Sequence, residues 1–179
     1  MAPVENRCTA PSGRLTRVVQ HSEHTLGHAA EISLRYVFMP GGPVRKIRCV
    51  GGVTHDTYGR LLMVQRAHAP GEGLWSIPGG RVEPGESDPA AVARELREET
   101  GLTVSIGRLV GTVTRPAASG LYEIYDYECR VIGGLLRPGD DAAQAAWIDL
   151  AAFGTLERTN LLTEGLAPTL RDWDMLPRA

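Results

Sequence analysis

The alternation of apolar and polar positions changes character near residue 46. Before it, Pro3, Pro11, Gly13, Pro40, Gly41, Gly42 and Pro43 break every regular pattern, and "HTLGHAAEISLRYVF" fits a short helix or a strand equally well. From Lys46 onward, "KIRCVGGVTHD" and "RLLMVQRA" are apolar, branched runs joined by "DTYG", which predicts two strands in a hairpin or a similar tight connection. "LWSIPGG" is a third short run, stopped by its Pro-Gly-Gly. A helix is predicted over about Asp88 to Thr100, because Ser87 can cap it, Pro89 is tolerated in the first turn and Gly101 can end it. "TVSIGRLVGTVTR" and "GLYEIYDYECRVI" predict longer strands, "AAWIDL" a last short one, and "TNLLTEGLAPTLRDW" a closing helix in spite of Gly165 and Pro168. Strands on both sides of one central helix predict a mixed α/β (α+β) fold with helices packed on a sheet. The same reading divides the chain into an extension over 1–45, a domain over 46–155 and a C-terminal helical segment over 156–179 that packs on the domain.

Composition narrows the function classes. At 179 residues the chain has room for one domain with a sizeable core. It is 42% hydrophobic and 22% charged, as in an ordinary soluble protein, and holds no apolar run long enough to span a membrane. A formal net charge of -2 with interspersed signs gives no long-range attraction to a nucleic-acid polymer or an anionic membrane. Cys8, Cys49 and Cys129 are scattered and form no CxxC pair, and the N-terminus has no apolar signal region, so reduced thiols in the cytoplasm are expected. The histidines show no HxxxH or HExxH spacing, and no zinc site is expected.

The chemistry concentrates in "PGGRVEPGESDPAAVARELREETGL", Pro78 to Leu102. At about 100° per residue, Glu98 and Glu99 fall on the same helix face as Glu95. Val92, Ala93 and Leu96 form the adjoining apolar sector, and Arg97 points outward. In water such a face is an inexpensive solvated decoration, since a like-charge i, i+4 pair costs only about 0.2–0.5 kcal/mol. In a cleft, two carboxylates about 4 Å apart repel by roughly 4 kcal/mol at an effective dielectric near 20, so the cluster needs a cation or altered protonation. Hard oxygen donors suit Mg²⁺ or Mn²⁺.

Spacing decides between these readings. Gly80, Glu86, Arg94-Glu95-Leu96, Glu98-Glu99 and Gly101-Leu102 stand at every defined position of the signature of the Nudix hydrolases, and a chance match is on the order of 10⁻⁷. The chain from about Lys46 to Phe153 resembles the MutT-like and ADP-ribose pyrophosphatase-like members, also in "GRLLMVQR", "GLWSIPGG" and "DDAAQAAWIDL". The resemblance implies a mixed β-sheet sandwiched between helices and a hydrolase acting on phosphoanhydride bonds. Glu95, Glu98 and Glu99 are then the carboxylates that hold Mg²⁺ (or Mn²⁺) and prepare a water for attack, with the carbonyl of Gly79 as a further metal ligand. Gly80, Glu86 and Arg94 are expected to support the site, the last two by ion pairing. A further acid from a later strand or loop often completes such sites, and Glu123, Asp126, Glu128 and Asp141 all remain open for that place. Arg66 is a candidate phosphate contact, and Tyr122, Tyr125 and Trp147 are candidates to stack on a base.

The signature reports chemistry and hardly reports the leaving group. The SQPWPFP array of the NADH-cleaving type is absent, "LLMVQR" matches only part of the coenzyme A type motif, and Pro116 lies near the proline of the ADP-ribose type. A nucleoside diphosphate linked to X, with ADP-ribose favoured, is therefore the expected substrate, and a MutT-like hydrolase of (oxidised) nucleoside triphosphates is the alternative. A non-catalytic nucleotide-sensing module is a remote third, disfavoured by a box that retains every carboxylate. Residues 1–45 stay open between a homodimer-forming extension and a tail without a task.

Overall fold

Two sheets, rather than one hairpin-built sheet, receive the apolar runs. The computed structural model describes residues 44–178, so the expectations made for the extension lie outside the described residues. The elements are β1 (Lys46–Thr54), β2 (Leu61–Arg66), β3 (Trp75–Ser76), β4 (Gly79–Arg81), α1 (Asp88–Thr100), β5 (Leu102–Ala117), β6 (Gly120–Gly134), β7 (Ala142–Ile148), α2 (Leu150–Arg158) and α3 (Leu166–Asp172). One sheet is mixed, in the order β4-β1-β6-β5, and the other is antiparallel, in the order β3-β2-β7. β1 runs parallel to β6 and antiparallel to β4, which brings Gly51 beside both Gly79 and Asp126. Such an arrangement is an α+β fold, as expected.

Alternation along β1 assigns its two faces. Val50 joins Leu62, Ala91, Val92, Leu96, Leu102, Val104 and Cys129 in the core beneath α1. Val53 joins Leu61, Met63, Trp75, Phe153 and Leu170 in the core beneath α2 and α3. The sheets are thus covered by α1 on one side and by the C-terminal helices on the other. Cys49 and Cys129 are both buried and free, and act as small apolar side chains. No helix among the described residues is long and apolar enough to cross a membrane.

Three local expectations need correction. "DTYG" makes the tight connection that is one of the two alternatives, and the hairpin alternative fails because β1 and β2 enter different sheets and meet at the bridge His55–Leu61. The Asp56 carboxylate organises that turn, accepting the backbone N–H groups of Tyr58 and Arg60 at 2.9 Å each and the Arg60 guanidinium at 2.7 Å. The closing helix is shorter than drawn, since Gly165 takes the left-handed conformation and α3 begins only after it. Helix α2 was not foreseen: Asp149, read as the end of a strand, caps it by accepting the Ala152 N–H at 2.8 Å.

Leu96 is fully buried on the inner face of α1, against β1, where even Gly52 leaves no space for a Cβ. Leu96→Ala is expected to cost about 2–5 kcal/mol, read as a lower denaturation midpoint in urea with little change in slope.

Candidate active site

Local sequence alone accounts for where α1 starts and stops. Ser87 accepts the Ala90 N–H at its N-terminus, and Gly101, at φ 69°, donates its N–H to the Arg97 carbonyl at 3.0 Å. Its first turn is clamped to the sheet by Asp88, which accepts two bonds from Arg48 at 2.7 and 2.6 Å and one from the Tyr127 hydroxyl at 2.7 Å. Asp88 was overlooked in the sequence. An acid in a first helical turn is a readable signal, but its partners on β1 and β6 are not.

Next to the buried face of α1, Arg94 gathers the charges. Its guanidinium makes two bonds to Glu86, at 3.0 and 2.9 Å, and one to the Arg81 carbonyl at 3.0 Å. The remaining nitrogen bridges Glu95 at 2.8 Å and Glu98 at 3.2 Å. Arg94 therefore ties the loop before the helix to the carboxylate face itself. This pairing holds Glu86 below its ordinary pKa, whereas burial raises that of Glu95.

Glu99 stands apart from this network. One of its oxygens accepts the Gly79 N–H at 2.8 Å. Burial pushes its pKa up to about 7; the Gly79 bond and Arg66 oppose the shift, and the charges of Glu95 and Asp141 add to it. That coupling places Arg66, at the end of β2, and Asp141, just before β7, in electrostatic range of Glu99. The loop bearing Asp141 is pinned to the helix end, for the backbone N–H groups of Arg137 and Gly139 bond the carbonyls of Thr100 and Glu99 at 3.0 Å each. His68, not singled out from the sequence, lies 4.0 Å from Asp141.

The other candidates are elsewhere. Glu123 pairs with Lys46 at 2.8 Å and Glu128 with Arg108 at 3.1 Å. Tyr125 lies under the Arg48 guanidinium, 3.9 Å from ring centroid to Cζ, and Trp147 packs against the core beneath α1. Asp126 and Tyr122 lie four residues apart on β6 and share the opposite face of the sheet from α1.

A glycine pair beside a capped helix bearing three carboxylates is the arrangement implied by the resemblance, and a family model for the NUDIX domain matches residues 45–170. The chain belongs to the NUDIX family. It is 30% identical over 154 residues to the 8-oxo-(d)GTP phosphatase of Mycolicibacterium smegmatis, an alignment covering 85% of this chain and 43% of that protein. It is 38% identical over 93 residues to the ADP-ribose pyrophosphatase of Methanocaldococcus jannaschii, covering 51% and 55% of the two. The chain thus spans about half the length of these curated relatives. The MutT protein from Methanosarcina mazei Go1 superposes with a TM-score of 0.64 at 22% identity, over 75% of this chain and 96% of that one, and so has the same fold.

By chemistry the Nudix residues of this chain, hard carboxylate oxygens on one helix face, suit a hard divalent cation. Gly80 lies so close to Glu95 that any Cβ there would collide with its carboxylate, so a glycine is required for the strand to approach. Glu99 is a buried carboxylate whose hydrogen-bonded partner is one backbone N–H, and whose acidic neighbours disfavour its charge. As they stand, no three Asp, Glu, His or Cys side chains among the described residues converge closely enough to hold an ion, and the Arg94 guanidinium bridges two of the carboxylates.

The displaced pKa of Glu99 gives a stability prediction with a definite sign. Since its folded value of about 7 exceeds the ordinary 4.5, ionisation opposes folding, with a penalty that begins above 4.5 and is complete above about 7. In EDTA at pH 8, Glu99→Gln should be more stable than wild type by on the order of 2 kcal/mol. The difference should shrink toward zero as pH falls to 4.5, as followed by thermal unfolding across that range.

Proposed function

We propose that this chain is a Mg²⁺-dependent pyrophosphohydrolase that cleaves the diphosphate of a nucleoside diphosphate linked to X, with ADP-ribose or a related compound as substrate. One observation carries the reading: a helix with Glu95, Glu98 and Glu99 on one face closes against Gly79 and Gly80, and one of these carboxylates, Glu99, is buried without a cationic hydrogen-bonding partner among the described residues. Glu95, Glu98 and Glu99, with the Gly79 carbonyl, would hold the metal. When bound, magnesium supplies neutralisation of phosphate charge and Lewis acidity at the scissile diphosphate.

The chain's own groups do the rest. Glu99, buried and bonded through one oxygen to the Gly79 N–H, is the carboxylate best suited to accept a proton from the attacking water. Arg66 and Asp141, both in electrostatic range of Glu99, would be the groups to orient the phosphates and the attacking water. Glu86 and Arg94 act indirectly, by fixing the loop after Gly80 to the helix. The likeness to the M. jannaschii ADP-ribose pyrophosphatase supports the favoured substrate class. A second reading, hydrolysis of oxidised (d)NTPs, is supported by the M. smegmatis relative, whose alignment covers more of this chain.

Release of AMP from ADP-ribose under Mg²⁺, faster than release of monophosphate from 8-oxo-dGTP, NDP-sugars, dinucleoside polyphosphates or (d)NTPs, is the expected result. The reverse order between ADP-ribose and 8-oxo-dGTP would establish the second reading. On the best substrate, Glu99→Gln should lower kcat by about 100-fold or more, and Glu86→Gln by less. Full turnover by Glu99→Gln would refute the site.

A further inference from the structure

Helix α1 and strand β1 lie against each other in step. Arg48, Val50 and Gly52, the alternate residues of β1 that face the helix, are about 6.6 Å apart, and four residues of helix advance about 6 Å. Asp88, Val92 and Leu96 therefore recur at the same interval. Arg48 bonds Asp88, Val50 and Val92 share one buried cluster, and Gly52 lies against Leu96. These contacts differ in kind. Those of Val92 and Leu96 are apolar and without direction, so they set the depth of the helix and leave it able to turn about its own axis. That of Asp88 has direction. Arg48 presents two donors to its two oxygens at 2.7 and 2.6 Å, and the Tyr127 hydroxyl donates to the second oxygen at 2.7 Å.

The clamp is itself held in place. The Arg48 guanidinium lies on the Tyr125 ring, 3.9 Å from its centroid, and the Asp88 side chain keeps 10% exposure. One carboxylate thus joins the helix to two neighbouring strands, β1 and β6. Arg94 and Glu99 also bond outward from α1, but Arg94 engages Glu95 and Glu98, and Glu99 engages Gly79 through its own carboxylate. Among the described residues, Asp88 is the α1 side chain that fastens the helix to the sheet by hydrogen bonds without touching a carboxylate assigned to the metal. Asp88, Arg48 and Tyr127 stand at none of the defined positions of the Nudix signature.

Small rotations matter at this site. Side chains lie about 5–6 Å from a helix axis, so turning α1 by about 10° shifts its carboxylates by about 1 Å. Gly80 approaches Glu95 so closely that a Cβ would not fit between them. A displacement of about 1 Å in a positioned site can cost about 100-fold in rate.

We propose that Asp88 is a positioning residue of the hydrolytic site: gripped by Arg48 and Tyr127, it sets the rotation of α1 and so the aim of Glu95, Glu98 and Glu99 toward Gly79 and Gly80. The proposal rests on the metal-dependent reading above and adds a residue that acts through the helix.

Full-chain wild type, Asp88→Asn, Arg48→Met and the double variant are compared, with Leu170→Ala, which opens the core beneath α2 and α3, as the structural control. Mn²⁺ affinity is read by electron paramagnetic resonance, kcat and KM on the best substrate under Mg²⁺, and folding by urea. Each single variant should weaken Mn²⁺ binding about tenfold and lower kcat by about tenfold or more, with KM changed by less than about threefold. The double variant should be no worse than either single one, because the two residues form one contact. Leu170→Ala should lower the urea midpoint and keep the wild-type Mn²⁺ affinity. If a clamp variant fails to fold, Tyr127→Phe, which removes one of the three bonds, should show the same losses at smaller size.

Unchanged Mn²⁺ affinity and kcat in folded variants overturn the proposal, as do losses that add in the double variant or that Leu170→Ala reproduces. A loss in Asp88→Asn without one in Arg48→Met overturns it too, since charge at the helix N-terminus would then be the cause. If the wild type hydrolyses no nucleotide yet binds Mn²⁺, and both single variants weaken that binding, the hydrolase reading fails and this inference stands; a wild type that binds no Mn²⁺ overturns it as well.

Discussion

The guanidinium of Arg94 is the interaction on which the site depends. It bonds both oxygens of Glu86, the Arg81 carbonyl and one oxygen each of Glu95 and Glu98, and so ties together the strand, the loop before the helix and the helix face. Like charges on one helix face tolerate each other there because a single rigid cation is shared among them. A lysine could not replace it, since one ammonium cannot present two parallel donors to Glu86 and still reach the helix face.

Two further constraints keep this device against the sheet. Leu96 and Val92 bury the adjoining side of the helix, and the Asp88 carboxylate fastens the first turn to Arg48 and Tyr127. The hydrophobic contact sets the depth of the helix and the ion pair sets its direction. Gly80 then allows the neighbouring strand to approach until it touches the Glu95 carboxylate. Glu99 is left in the resulting narrow space with one N–H, which is why its proton affinity rises while that of Glu86 falls.

What was legible in the sequence is what local chemistry encodes. Ser87, Pro89 and Gly101 delimit α1 without reference to the remainder of the fold, and the helical period alone puts Glu95, Glu98 and Glu99 together. The sheets were less legible, because β1 finds its parallel partner in β6 across the whole helix and β5, and a short apolar run carries no mark of which sheet it will join. For the same reason spacing did not choose among Glu123, Asp126, Glu128 and Asp141. Lys46 and Arg108 neutralise two of them at the surface, and only a loop closing on the helix end brings Asp141 toward Glu99. Helix α2 escaped notice because Asp149 serves as the end of one element and the cap of the next.

The bonds by which the loop after β6 holds the end of α1 are made by the backbone of Arg137 and Gly139. Gly139 is confined by the Glu98 carbonyl against which it lies, and the Arg137 side chain packs over Gly101 at the helix end. The segment is therefore anchored mainly by its main chain, with Arg137 as the side chain that rests on the helix end. Apart from Arg137 and Gly139, its residues can be exchanged while the catalytic helix stays where it is, so that loop chemistry and helix position can change independently.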